Sequence, residues 1–169
     1  MRLPSALLYG LITVALDLGT KSWALQTLRL RDIEVIPYFF RLSLVHNYGI
    51  AFGFFSYQSS SRLKSILLIS VAVLALISVA AYAFKPSSHR RLQQLALGLL
   101  MGGILGNLAD RALHSYVVDF LEFNLYFFKF PTFNIADSGI TVGVGLLLLE
   151  TFLEKQNPEE ERGTDAEPS

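Results

Sequence analysis

The chain has 169 residues, 52% of them hydrophobic and only 17% charged, with a mean hydropathy of +0.45, which is richer in apolar runs than an ordinary soluble domain. Its 14 basic and 14 acidic residues cancel, so no basic surface is available for nucleic acid. Cysteine is absent, which removes disulfides, thiolate metal sites and a cysteine nucleophile together.

Residues 3–25 are mostly apolar but contain Asp17 and Lys21. Arg2 ahead of the run and the small-x-small triplet Ser22-Trp23-Ala24 raise the alternative of a cleaved signal peptide. An acid and a base one helical turn apart suit no signal-peptide core, so the run reads as an uncleaved membrane helix. Residues 30–61 mix Arg29-flanked charges, Pro37, aromatics and Ser59-Ser60-Ser61. Within them, 33–45 alternate β-branched and aromatic residues with others, as short strands do. This lobe, about 29–62, is expected outside the bilayer, and its end, Asn47-Tyr48-Gly49-Ile50-Ala51-Phe52-Gly53-Phe54-Phe55, suits a membrane–water interface.

Residues 65–84 carry no charge and form a second span. The basic turn 85–91 follows, then a third apolar run, 92–108, whose Gly102 and Gly106 are spaced for close helix packing. That run closes on Asn107-Leu108-Ala109-Asp110-Arg111. A loop carrying Asp119 and an aromatic stretch, 124–133, lead to the last span, 139–152. The expected fold is an all-α integral membrane protein. It has four transmembrane helices and a small extramembrane β-containing lobe between the first two. Residues 1–154 make up the membrane domain, and 155–169 form a disordered acidic tail on the side of the basic turn; the short basic loop points that side to the cytoplasm, while Arg29, Arg31, Arg41, Arg62 and Lys64 across the membrane leave the raw Lys/Arg count undecided.

Counting crossings, Asp17, Lys21, Asn47, Asn107, Asp110, Arg111, Asp119, Asn134 and Asp137 all fall toward one membrane face. Ionisable groups in or beside apolar spans are costly to keep, which makes them functional candidates. Two carboxylates held close cannot both ionise easily, and such a pair can hydrolyse an amide: one acid takes a proton from water and the other hydrogen-bonds the scissile carbonyl. Asp119 and Asp137 are the candidates. The plain alternative makes Asp137 a helix-dipole acid and Asp119 a solvated loop residue. Asp17 and Lys21, at i and i+4, suit a structural ion pair better than chemistry. Arg111 suits a lipid phosphate, a substrate carbonyl or a snorkelling anchor. Asn47, Asn107 and Asn134 suit peptide binding or capping, Asn134 being placed to start the last helix. His46 and His114 suit an interface, and no His cluster suggests a metal.

Five stretches together resemble the lipoprotein signal peptidase family, also called signal peptidase II. They are Asp17-Leu18-Gly19-Thr20-Lys21, Asn47-Tyr48-Gly49-Ile50-Ala51-Phe52, the run from Gly102 to Arg111, Val117-Val118-Asp119-Phe120 and Phe133-Asn134-Ile135-Ala136-Asp137-Ser138. They stand in the family's order. The resemblance implies an aspartyl endopeptidase of the bacterial inner membrane with its active site toward the periplasmic or outer face. It would cut diacylglyceryl-modified prolipoproteins just before the lipobox cysteine, need no cofactor or metal, contact membrane lipids and accept globomycin-type inhibitors. By the motif match, Asp119 and Asp137 would be catalytic, and Asn47, Asn107, Arg111 and Asn134 would bind substrate. Asp17, Lys21, Gly49 and Asp110 would support them. The aromatic stretches 52–55 and 126–130 would cover the site. A rival from another class, a small ion-coupled transporter, would use the acids as an ion path, but they gather at one face and no inverted repeat is evident.

Overall fold

In the computed structural model, residues 5–49, 62–84 and 91–156 are described. The aromatic stretch 52–55, the serine cluster, nearly all of the basic turn and the tail from 157 onward therefore lie outside the described residues. The elements are α1 (Ser5–Thr27), β1 (Ile33–Ile36), β2 (Phe40–Asn47), α2 (Arg62–Ala83), α3 (Arg91–His114), β3 (Val117–Leu125), β4 (Phe128–Lys129) and α4 (Ile135–Gln156). The chain is thus mostly helical with one small antiparallel sheet. Among the described residues, three helices, α2, α3 and α4, are long and apolar enough to cross a membrane. α1 is 23 residues long, similar in length, but has Asp17 and Lys21 within it.

α3 is the central helix and packs on each of the other three. Its glycines make this possible. A Cβ at Gly102 would stand 2.6 Å from the Gly10 carbonyl oxygen of α1, and one at Gly103 would collide with the Ala136 carbonyl of α4. Without those side chains the backbones approach closely enough for dispersion to hold the helices together. At the far end of the bundle Ala6, Ala83, Leu97 and Met101 form a buried cluster joined by Leu147.

Two expectations are corrected here. The third span, expected to close at Arg111, runs on to His114, so Asp110 and Arg111 lie within α3. No breaker follows Gly106, Ala109 and Ala112 favour helix, and Arg111 and His114 in the last turn complement its carbonyl end. The chain turns only at Ser115, where φ is 64°. Second, the sheet is not confined to the lobe after the first helix. β1 and β2 are joined by β3 and β4 in the order β1-β2-β3-β4, so Asp119 lies in a strand and not in a loop. Strand β3 reads as a loop when taken alone because four consecutive residues, 117–120, are buried and period-two alternation is lost. The register sets Val45 opposite Asp119 and Asn47 opposite Val117. Arg41 stands opposite Glu122 and ion-pairs with it, and Lys129 pairs with the same acid at 3.0 Å. Phe120 seats the sheet on Ala24 and Leu28 at the end of α1. That contact brings the sheet over the polar end of the bundle.

Candidate active site

The first turn of α4 organises the site. Asn134 is fully buried and caps the helix: its Oδ1 accepts the backbone N–H of Asp137 at 2.9 Å. With that oxygen committed, its Nδ2 faces β3 and donates to Asp119 Oδ1 at 2.7 Å and to Asn107 Oδ1 at 3.1 Å. The residue that starts α4 thereby also holds the acid of the strand.

Lys21 fixes the other amide. An ammonium only donates, and Lys21 Nζ lies 2.7 Å from Asp17 Oδ2, 3.0 Å from Asp110 Oδ2 and 3.0 Å from Asn107 Oδ1. Asn107 must present its oxygen to Lys21, so its Nδ2 turns to Asp137 Oδ1, at 2.7 Å. Each acid of the candidate pair therefore receives a side-chain amide N–H, and the two amides are bonded to each other. Asn47 Nδ2 adds a second donor to Asp119, on Oδ2 at 2.9 Å, while its Oδ1 accepts the N–H of Gly49 at 2.9 Å. Arg111 donates to the carbonyl oxygens of Asn107 and Gly49.

Two backbone contacts tie the remaining acids in. Asp17 Oδ1 accepts the N–H of Ala136 at 2.8 Å, so a side chain of α1 supplies part of the cap of α4. Gly106 leaves the space for it; a Cβ there would collide with the Asp17 carboxylate. Asp110 Oδ2 accepts the N–H of Val118, next to Asp119 in the chain. The Asp17–Ala136 link has no signal in the sequence, since spacing along one helix says nothing of a neighbour 119 residues away. The expected Asp17–Lys21 ion pair is present, but Lys21 sits between two acids rather than one. His46 and His114 stack on Tyr116 outside the acid cluster. Tyr126 and Phe127 do not cover the site: they are 90% and 93% exposed, whereas Phe130 lines a groove with Asp137.

The charges do not balance. Among the described residues, Asp17, Asp110, Asp119 and Asp137 face only Lys21 and Arg111, which favours retention of a proton by one acid. Asp119, 1% exposed, is held up at about 7 by burial and then by the charge of Asp137, against the hydrogen bonds from Asn47 and Asn134 and the charge of Lys21. Asp137 is half-buried and opens on two apolar grooves. One, about 380 Å³, runs past Phe130, Phe133, Ile140 and Val142 on the flank of α4. The other, about 220 Å³, lies between α2 and α3, past Leu68, Val71, Ile104 and Arg111. No group of three or more His, Asp or Glu side chains suited to a metal occurs among the described residues.

Comparison with known proteins gives a consistent set. The family described as signal peptidase (SPase) II matches residues 9–153. A lipoprotein signal peptidase of Photorhabdus laumondii is 38% identical over 143 residues, 84% of either chain. One of Symbiobacterium thermophilum is 40% identical over 149 residues, 88% of this chain and 94% of its own. A bacterial membrane enzyme solved by the in meso method at 2.3 Å resolution superposes with a TM-score of 0.81 at 31% identity, covering 98% of this chain and 94% of its own.

Proposed function

The chain belongs to the signal peptidase II family, a membrane protease family that removes signal peptides from prolipoproteins, and from that premise we propose that it is an aspartyl endopeptidase. Its substrates are prolipoproteins whose lipobox cysteine already carries a diacylglyceryl group, and it cuts just before that cysteine. Asp119 and Asp137 are the catalytic pair. The observation that carries this reading is the bridge Asp119–Asn134–Asn107–Asp137, which ties a buried carboxyl of the sheet to Asp137, where two apolar grooves open.

The deeply buried Asp119 is the protonated partner, and Asp137, open to the grooves, is the ionised one. Asp137 takes a proton from a water as its oxygen bonds to the scissile carbonyl carbon, while Asp119 gives its proton to the carbonyl oxygen. A neutral gem-diol results. On collapse, Asp137 returns its proton to the departing amine of the cysteine, the C–N bond breaks, and Asp119 recovers a proton from the diol. No metal or cofactor takes part. Arg111, Asn47 and Asn107 position the peptide, Asn134 holds the acids from behind, and Asp17, Lys21, Gly49 and Asp110 position these residues. The grooves suit acyl chains and an apolar signal peptide, with lipid at their mouths, and a globomycin-type inhibitor would occupy the same space.

The setting is the bacterial inner membrane. α1 is the fourth span: Leu8, Leu11, Ile12 and Leu16 are exposed on it, whereas Asp17 and Lys21 face inward and are paired. The polar end faces the periplasm or exterior and the basic turn the cytoplasm. Residues 1–154 act as one peptidase domain with a separate tail.

The test is incubation of purified protein with a diacylglyceryl-modified prolipoprotein and with its unmodified form, each followed by mass spectrometry. The modified substrate should lose the mass of its signal peptide and the unmodified one should not. An intact modified substrate, or equal cleavage of both, would overturn the assignment. A pH dependence follows as well. The pair needs one proton; with Asp119 titrating at about 7, that proton is present below this pH and is lost above it. Thus kcat/KM should fall about tenfold per pH unit above roughly pH 7 to 8. A flat profile from pH 6 to 9 would remove Asp119 as the proton donor.

A further inference from the structure

Two hairpin tips lie side by side at the end of the sheet away from Asn47. Phe40 pairs with Phe123, and the N–H of Asn124 donates to the Phe39 carbonyl, which brings the β1–β2 turn beside the β3–β4 turn. Three aromatic rings project there almost fully exposed: Tyr38 at 88%, Tyr126 and Phe127. Both tyrosines have left-handed backbones, φ 62° at Tyr38 and 45° at Tyr126, where glycine or asparagine is the less strained choice. Neither ring stabilises the fold by burial. Both rings are therefore open to a surrounding outside the protein.

The base of the second hairpin identifies that surrounding. Phe130, Pro131, Thr132 and Phe133 share a groove with Ile140, Thr141 and Val142, which belong to a helix apolar enough to cross a membrane. The return leg of the hairpin is therefore level with the first turns of α4, which the proposed orientation puts at the edge of the lipid. A run of edge-to-face rings, Phe133 to Phe130 to Phe128, leads from that point toward the tip. Tyrosine and phenylalanine at the boundary of headgroups and acyl chains are favoured, since the ring finds lipid and the hydroxyl finds water.

We infer that the paired hairpin tips, Tyr38 and Tyr126-Phe127-Phe128, form a membrane-interface anchor that dips the edge of the sheet into the outer rim of the bilayer. The sheet is then held at the lipid surface from two sides, by α4 at one and by the aromatic tips at the other.

The test uses fluorescence and needs no cleavage, so it is independent of the proteolytic reading. Trp23 is the single tryptophan, and Trp23→Phe gives a silent background. Phe127→Trp, and Phe128→Trp as a second probe, are introduced into the full chain. Each is reconstituted in phosphatidylcholine–phosphatidylglycerol vesicles containing lipids brominated either near the headgroup or near the bilayer centre. Shallow bromines should lower emission about twofold or more, deep bromines less, and aqueous iodide little. If both probes ignore the bromines and are quenched by iodide, the tips stand in water or meet a soluble partner, and the inference fails. Strongest quenching by the deep label would also overturn it, since an interfacial anchor does not reach the bilayer centre.

Discussion

Asp119→Asn and Asp137→Asn should each lower cleavage of a modified prolipoprotein by at least about 10⁴-fold, or about 5.5 kcal/mol of transition-state free energy. An amide can neither take the proton of water nor return one to the leaving amine. The two variants should differ in stability. Asp137 accepts from Asn107 on one oxygen, which the Oδ1 of an asparagine can replace. Asp119 accepts on both oxygens, from Asn134 and from Asn47, so an amide there sets one donor against another. Asp119→Asn should therefore cost roughly 1–3 kcal/mol of stability, and Asp137→Asn much less. Single-turnover cleavage by mass spectrometry, normalised to protein that passes a thermal-unfolding check in detergent, reads both effects. Activity within tenfold of the parent in a folded Asp137→Asn protein would remove that residue from the chemistry.

The helices were legible because apolar runs of membrane length differ from anything a soluble chain of this size carries. Their polar residues could be assigned to one end by counting crossings alone. The helix cap at Asn134 was legible too, since an asparagine just ahead of an apolar run has few other uses. What the sequence hides is the sheet and the cross-links. β3 is buried at its start, so it lacks alternation, and its partner β2 is separated from it by two helices. Hidden too is the use made of the polar end of α3, where Asp110 is buried against Lys21 and Val118. The sequence also hides where Tyr126 and Phe127 stand: expected to cover the site, they are carried by the turn between β3 and β4 out to the tip, almost fully exposed.

Lys21 is the position at which a non-catalytic change should be most costly. Its ammonium is 3% exposed and lies between Asp17 and Asp110, whose carboxyls are 0% and 6% exposed, with Asn107 as its third acceptor. Lys21→Met keeps the length of the side chain and removes the charge, leaving two buried acids without a counterion. Breaking a buried pair in this way costs about 3–5 kcal/mol, and a second stranded acid adds to it. Asp17→Asn in the same chain should recover only part of the loss. It removes one stranded charge and can still accept the N–H of Ala136 through its amide oxygen, but Asp110 remains. Adding Asp110→Asn should recover more, provided the new amide presents its oxygen to Val118. Melting temperatures of the single, double and triple variants, compared as a mutant cycle, read this order. Lys21 touches neither Asp119 nor Asp137 by a hydrogen bond and acts on Asp137 through Asn107. Cleavage per folded molecule should therefore fall by about tenfold or less, far milder than loss of a catalytic acid. A Lys21→Met protein as stable as the parent but inactive would move Lys21 from holding the site together to the reaction itself.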